Sequence, residues 1–89
     1  MQDKYLEITF RKGKPLAAYL YLSRKSGTKA VKSKKYEEGI IVDFEGNNTP
    51  IGLEITSPIQ IHISEINKIL DLLNISPISE KEFAPLRAA

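Results

Sequence analysis

The chain has 89 residues, no cysteine and no tryptophan, and a net charge of +2 at neutral pH. That length sets one small domain, 1–89, which buries only somewhat more than half of the surface its unfolded chain exposes. The missing thiols exclude a disulfide framework and thiolate metal sites, and they point to a reducing compartment, the cytoplasm.

The charge is divided along the chain. Residues 1–36 hold ten Lys and Arg against Asp3 and Glu7, whereas residues 37–89 hold three against nine acids, +8 followed by −6. Such asymmetry suggests a basic surface for an acidic partner or nucleic acid, or two complementary halves that meet in the fold. No apolar run approaches the roughly 20 residues of a spanning helix, and "MQDKYLEITF" lacks the basic-then-apolar build of a signal peptide, so no membrane partner is expected.

In "YLEITF" Leu6, Ile8 and Phe10 alternate with Tyr5, Glu7 and Thr9, the period of two expected of a strand with one buried face, over about 4–11. "RKGKP" supplies Gly13 and Pro15 and turns the chain into a second strand, about 15–23. Leu16, Ala18, Leu20 and Leu22 form one of its faces; Ala17, Tyr19, Tyr21 and Ser23 form the other. The polar stretch "RKSGTKAVKSKKYEE" reads as mostly loop, with Ala30 and Val31 as the material for a short paired segment.

"GIIVDFEGNNTPIGLEI" reads as a hairpin of strands about 39–45 and 50–57 around the turn "GNNT", whose glycine and asparagines tolerate positive φ. Pairing Phe44 with Ile51, Val42 with Leu53 and Ile40 with Ile55 puts all six apolar side chains on one face and sets Gly52 opposite Asp43. Ile59, Ile61 and Ile63 then alternate, as in a short strand or an extended lead-in. Ser64 stands as the N-cap of a helix over about 65–74, with Ile66, Ile69, Leu70 and Leu73 at helical spacing and Asn74 as its stop. Ser79 and Glu82 form a capping box for a short helical tail, about 80–86, pinned by Phe83 and Leu86. The sum is an α+β fold: an antiparallel β-meander of four to five strands with a C-terminal helix packed on one face. The other face carries Tyr5, Tyr19, Tyr21 and Ile41, an aromatic surface that serves as a candidate interface for a homodimer.

"KGKPLAAYLYLS" followed by "GIIVDFEGNNTPIGLEI" resembles Domain of Unknown Function 2283, a family of small, mostly bacterial proteins. Its members read as an acidic turn, Ala-Leu-Tyr-Ile-x-Leu-Ser, Gly-Ile-Ile-Val-Asp-Tyr, a second turn and Gly-Ile-Glu-Ile. The likeness runs through Tyr19, Leu20, Leu22 and Ser23 and along Gly39 to Ile55, and the ending is similar to the helix and tail of longer members. At the first turn "RKGKPL" replaces the family's acidic stretch. The resemblance implies no activity or cofactor; the genomic setting of some members implies an antitoxin-like role with a toxin as partner.

His62 is the only histidine, and without cysteine it is a poor start for a zinc site of about four nitrogen or sulfur ligands, so it reads as an ordinary surface or lead-in residue. Asp43, Glu45 and Glu54 share one face of the hairpin; paired carboxylates do acid-base work when burial separates their pKa values, but alternating acids on a strand normally form a solvated face, which is the reading adopted here. Gly13, Gly27 and Gly39 stand alone and build no phosphate loop. Arg24, Lys25, Lys29, Lys32, Lys34 and Lys35, with tyrosines nearby, are candidate phosphate contacts for nucleic acid. The sequence thus points to a non-enzymatic protein-interaction module without cofactor or metal, with nucleic-acid binding through residues 24–35 as the alternative.

Overall fold

The computed structural model describes residues 4–22 and 29–87. Five strands, β1 (Tyr5–Arg11), β2 (Lys14–Tyr21), β3 (Lys32–Glu37), β4 (Ile40–Phe44) and β5 (Pro50–Ile55), form one antiparallel sheet in the order β1-β2-β5-β4-β3. Two helices follow, α1 (Ile63–Leu72) and α2 (Glu80–Arg87). The fold is α+β, with a β3-β4-β5 meander joined to a β1-β2 hairpin through the pairing of β5 with β2. None of the described helices is long and apolar enough to cross a membrane.

The alternation of apolar residues explains why these strands share one core. Leu20, Ile40, Val42, Leu53 and Ile55 are buried on one face of the sheet, and Ile66, Ile69 and Leu70 of α1 join them with Ile78, Phe83 and Leu86. Each fully buried side chain of this kind contributes roughly 1.5–3 kcal/mol relative to an exposed one. Val42 pairs with Leu53 and Ile40 with Ile55, the register the hydrophobic pattern demands.

Two bulges alter the edges of that pattern. Phe44 faces Pro50 rather than Ile51, because the register shifts between Asp43 and Phe44 before the turn. In the first hairpin the shift falls between Thr9 and Phe10, and both Phe10 and Leu16, expected in the core, are 50% exposed. A bulge adds a residue to one strand and so breaks the simple in-out alternation. The turn itself places Lys12 (φ 54°) and Gly13 (φ 78°) in the left-handed region, as a two-residue hairpin loop that matches strand twist requires.

β3 lies where the sequence reads as loop. Its only apolar side chain is Tyr36, so it offers no hydrophobic period; it forms by antiparallel pairing with β4 at the sheet edge. Lysines on such an edge discourage a second chain from adding to it. The Val31 N–H extends the contact by donating to the Phe44 carbonyl at 2.8 Å.

The helix ends follow local chemistry. Pro58–Gln60 is a 3-10 turn, so the alternating isoleucines at 59–63 form no strand. His62, not Ser64, is the N-cap of α1, and the Glu65 carboxylate accepts the His62 backbone N–H at 2.8 Å. At the far end the Ile75 N–H reaches the Leu70 carbonyl and the Asn74 N–H the Asp71 carbonyl, a Schellman arrangement with Asn74 at φ 61°. The Asn67 side-chain amide then clamps both backbone groups of Ile78, tying α1 to the approach of α2. α2 starts with the reciprocal bonds read from the sequence: the Glu82 N–H donates to Ser79 Oγ, and the Ser79 N–H to Glu82 Oε1.

The left-handed stop is directly testable. Asn74→Val is expected to cost about 1–2 kcal/mol, because a β-branched residue resists positive φ, whereas Asn74→Gly should leave the urea midpoint essentially in place. Equal midpoints for the two variants would show that the conformation at 74 carries no strain.

Candidate functional site

The helices cover one side of the sheet, and the other side is built from two cross-strand rows. Tyr5, Tyr21, Gly52, Asp43 and Ser33 make the first row, and Glu7, Tyr19, Glu54, Ile41 and Lys35 the second. The four residues read as an interface, Tyr5, Tyr19, Tyr21 and Ile41, therefore share a face. Tyr19 and Tyr21 meet edge to face at 4.6 Å between ring centroids, and Tyr5 lies 5.9 Å from Tyr21. Tyr5 remains 46% exposed.

Gly52 organises this face. A Cβ at that position would overlap the ring and hydroxyl of Tyr19, which crosses diagonally from its own row. The hydroxyl donates to Asp43 Oδ2 at 2.9 Å, while Ser33 Oγ donates to Asp43 Oδ1 at 2.6 Å. Asp43 is consequently only 6% exposed, which corrects the expectation of a solvated acidic face. Burial of a carboxylate is tolerable here because both oxygens receive hydroxyl donors. The sequence places Gly52 opposite Asp43, but the space is filled from a third strand and the second donor comes from β3, so neither partner is visible in the hairpin alone.

The neighbours feel this arrangement electrically. Burial first, then the hydrogen bond to Asp43 and the charges of Asp43 and Glu54, push the Tyr19 hydroxyl far above its ordinary pKa of 10.0. The Glu54 carboxyl is also raised, through hydrogen bonding with Asp43, then partial burial and the Asp43 charge. Tyr21 donates to Glu7 Oε1 at 3.0 Å, and that bond raises its hydroxyl in turn.

The candidate phosphate contacts are distributed differently. Lys32 and Lys34 leave the sheet on its helix-bearing side. The Lys32 ammonium lies 5.5 Å from the Phe44 ring centroid and donates to Asn48 Oδ1 at 2.6 Å, and Lys34 sits over Tyr36. Lys35 points to the tyrosine side and pairs with Glu38 at 3.0 Å. Lys29 is exposed ahead of β3, and Arg24 and Lys25 lie outside the described residues. His62 is an exposed helix cap. Among the described residues no group of three or more His, Cys, Asp or Glu is placed to hold a metal ion.

Comparison with protein-family models, with curated proteins and with solved structures gives no match.

Two measurements test the buried carboxylate. Gly52→Ala displaces the Tyr19 ring and deprives Asp43 of a donor, and it should cost at least about 1–3 kcal/mol in thermal or chemical melts, the range for an unsatisfied buried polar group. A fully stable variant would rule out the packing described. Because the folded state resists ionising Tyr19, its contribution is complete below pH 10.0 and is lost as pH rises further. Tyr19→Phe should therefore flatten the alkaline fall in melting temperature, leaving only the smaller share from Tyr21; an unchanged slope would argue against a buried phenol.

Proposed function

We propose that the chain is a small, non-enzymatic protein-interaction module of the cytoplasm that binds a partner protein through its open tyrosine face. The supporting observation is the exposure of Tyr5 at the end of a three-ring stack, on a sheet face that neither helix covers. Interfaces concentrate large aromatic side chains, which supply contact area at little cost in rotamer freedom. The resemblance to Domain of Unknown Function 2283 extends the reading to an antitoxin-like role with a toxin as partner. A second copy of the chain is another occupant of this face. A second copy brings a second set of the same acids, Glu7 and Glu54, into the interface, however, and like charges gathered there are unfavourable, so a partner of opposite charge fits better.

Two other readings draw on specific features. Nucleic-acid binding would use the lysines with the tyrosines, but of the β3 lysines only Lys35 shares the tyrosine face, and it is paired with Glu38. Hydrolytic chemistry would use Asp43 and Glu54, whose unequal surroundings could divide acid and base roles. Asp43 has both oxygens engaged and is nearly sealed from solvent, which suits a structural part better than that of a general base.

Capture from native lysate with the wild type and with the Tyr5→Ser, Ile41→Ser double variant tests the interaction. A specific protein should accompany the wild type and be lost from the variant while the melting temperature stays constant. Light scattering on the same pair identifies a second copy as the occupant if a wild-type dimer becomes a monomer. The proposal fails if the variant retains its partner. It fails equally if nucleic acid is retained near physiological salt and lost on changing Lys32, Lys34 and Lys35 to Gln.

A further inference from the structure

The open face contains a cleft of about 220 Å³ beside Tyr19, on the scale of one side chain and smaller than the pockets that take drug-sized ligands. Its position follows from the glycine already described. Tyr19 leans toward Gly52 and Asp43, away from Ala17 in the next row, and so leaves a depression over Ala17 between Thr9 and Thr56. Glu7 and Glu54 line the cleft, one on each side of Tyr19 in the same cross-strand row. Adjacent strands lie about 4.8 Å apart, so the Glu7 and Glu54 backbones stand roughly 10 Å from each other with the Tyr19 backbone between them.

The geometry points to this cleft as the receptor for a basic side chain of the partner protein, arginine ahead of lysine. The inference rests on the tyrosine-face reading and adds the chemistry of what inserts there. Three features converge on a cation with an aliphatic stem. Among the described residues, the charged side chains that line the cleft are the acids Glu7 and Glu54, with no lysine or arginine. Glu7 and Glu54, set on either side of the cleft, suit a planar guanidinium, whose fork of N–H groups reaches two carboxylates at once. The Ala17 methyl, on the tyrosine side of β2, forms a small apolar floor that accommodates the methylenes below the charged head.

Arginine is favoured because the site is wide and flanked on two sides rather than pointed at one atom. A nucleic acid would present phosphates to Glu7 and Glu54 and be repelled.

The test is an NMR titration of the full chain with the capped peptide Gly-Gly-Arg-Gly-Gly and with its citrulline counterpart, which keeps the shape and removes the charge. The arginine peptide should shift the amides of Glu7, Ala17, Tyr19, Glu54 and Thr56, and the citrulline peptide should not. Glu7→Gln and Glu54→Gln should each weaken binding by about two- to fivefold, as expected for partly exposed ion pairs. Ala17→Leu, which fills the floor without changing charge, should abolish the shifts at 54 and 56. Equal binding of the citrulline peptide, shifts confined to the helical acids Glu65, Glu80 and Glu82, no binding at all, or an unaltered affinity in all three variants would overturn the inference. If the peptide fails while Tyr5→Ser, Ile41→Ser still loses a captured protein, only the cation chemistry falls. If the peptide binds in the cleft and no protein is lost from the double variant, the face reading falls and the cleft stands.

Discussion

The hydrogen bond from Tyr19 to Asp43 is the contact on which the open tyrosine face depends, and it exists because residue 52 has no side chain. Tyr19 belongs to β2, Gly52 to β5, Asp43 to β4 and its second donor, Ser33, to β3, so one carboxylate gathers four of the five strands. Hydrophobic burial holds the opposite face together without directional demands. The polar face is directional. A carboxylate sealed from water costs several kcal/mol unless donors meet it, so the strands must arrive in one register for the acid to be tolerated at all. Registers displaced by one residue would leave Asp43 without its hydroxyls and turn the apolar set outward.

The same interaction shapes the surface. By drawing the Tyr19 ring toward Gly52, it sets the edge-to-face contact with Tyr21 and opens the depression above Ala17. The charge division of the sequence reappears here in altered form. Basic residues of β3 alternate across an edge, and the acids Glu7, Asp43 and Glu54 converge on the face opposite the helices. Glu7 comes from the basic half of the chain, so the acidic field of this face is a product of topology rather than of sequence blocks.

The elements that carry a hydrophobic period were legible in the sequence. Val42 with Leu53 and Ile40 with Ile55 follow from alternation alone, and Ser79 with Glu82 from a spacing that serves only a helix start. The capping of α1 was misplaced by two residues because His62 can hold an extended N-cap backbone without the side-chain oxygen that marks Ser64. β3 was hidden because an edge strand exposed on most positions needs no apolar pattern. The placement of Tyr5, Tyr19, Tyr21 and Ile41 on one face was legible, since a period of two assigns faces as well as strands. The buried state of Asp43 was not, because it depends on a ring from β2 and a hydroxyl from β3, and strand order cannot be read from local pattern. Phe10 and Leu16 show the converse failure: a bulge cancels an alternation that the sequence displays plainly.

Strand order also divides the sheet into two locally wired parts. β1 with β2, and β3 through β5, are each joined by short turns, whereas β2 and β5 meet only by pairing Leu20 with Leu53 and its neighbours across a long stretch of chain. Loop-closure entropy rises slowly with length but has to be met before distant contacts repay it, so this seam concentrates the topological cost of the fold. The seam is also where Tyr19 first meets Gly52 and Asp43. The open tyrosine face is therefore absent from either part alone and comes into being with the closure of the sheet, which makes it a report on the completeness of folding as much as a surface.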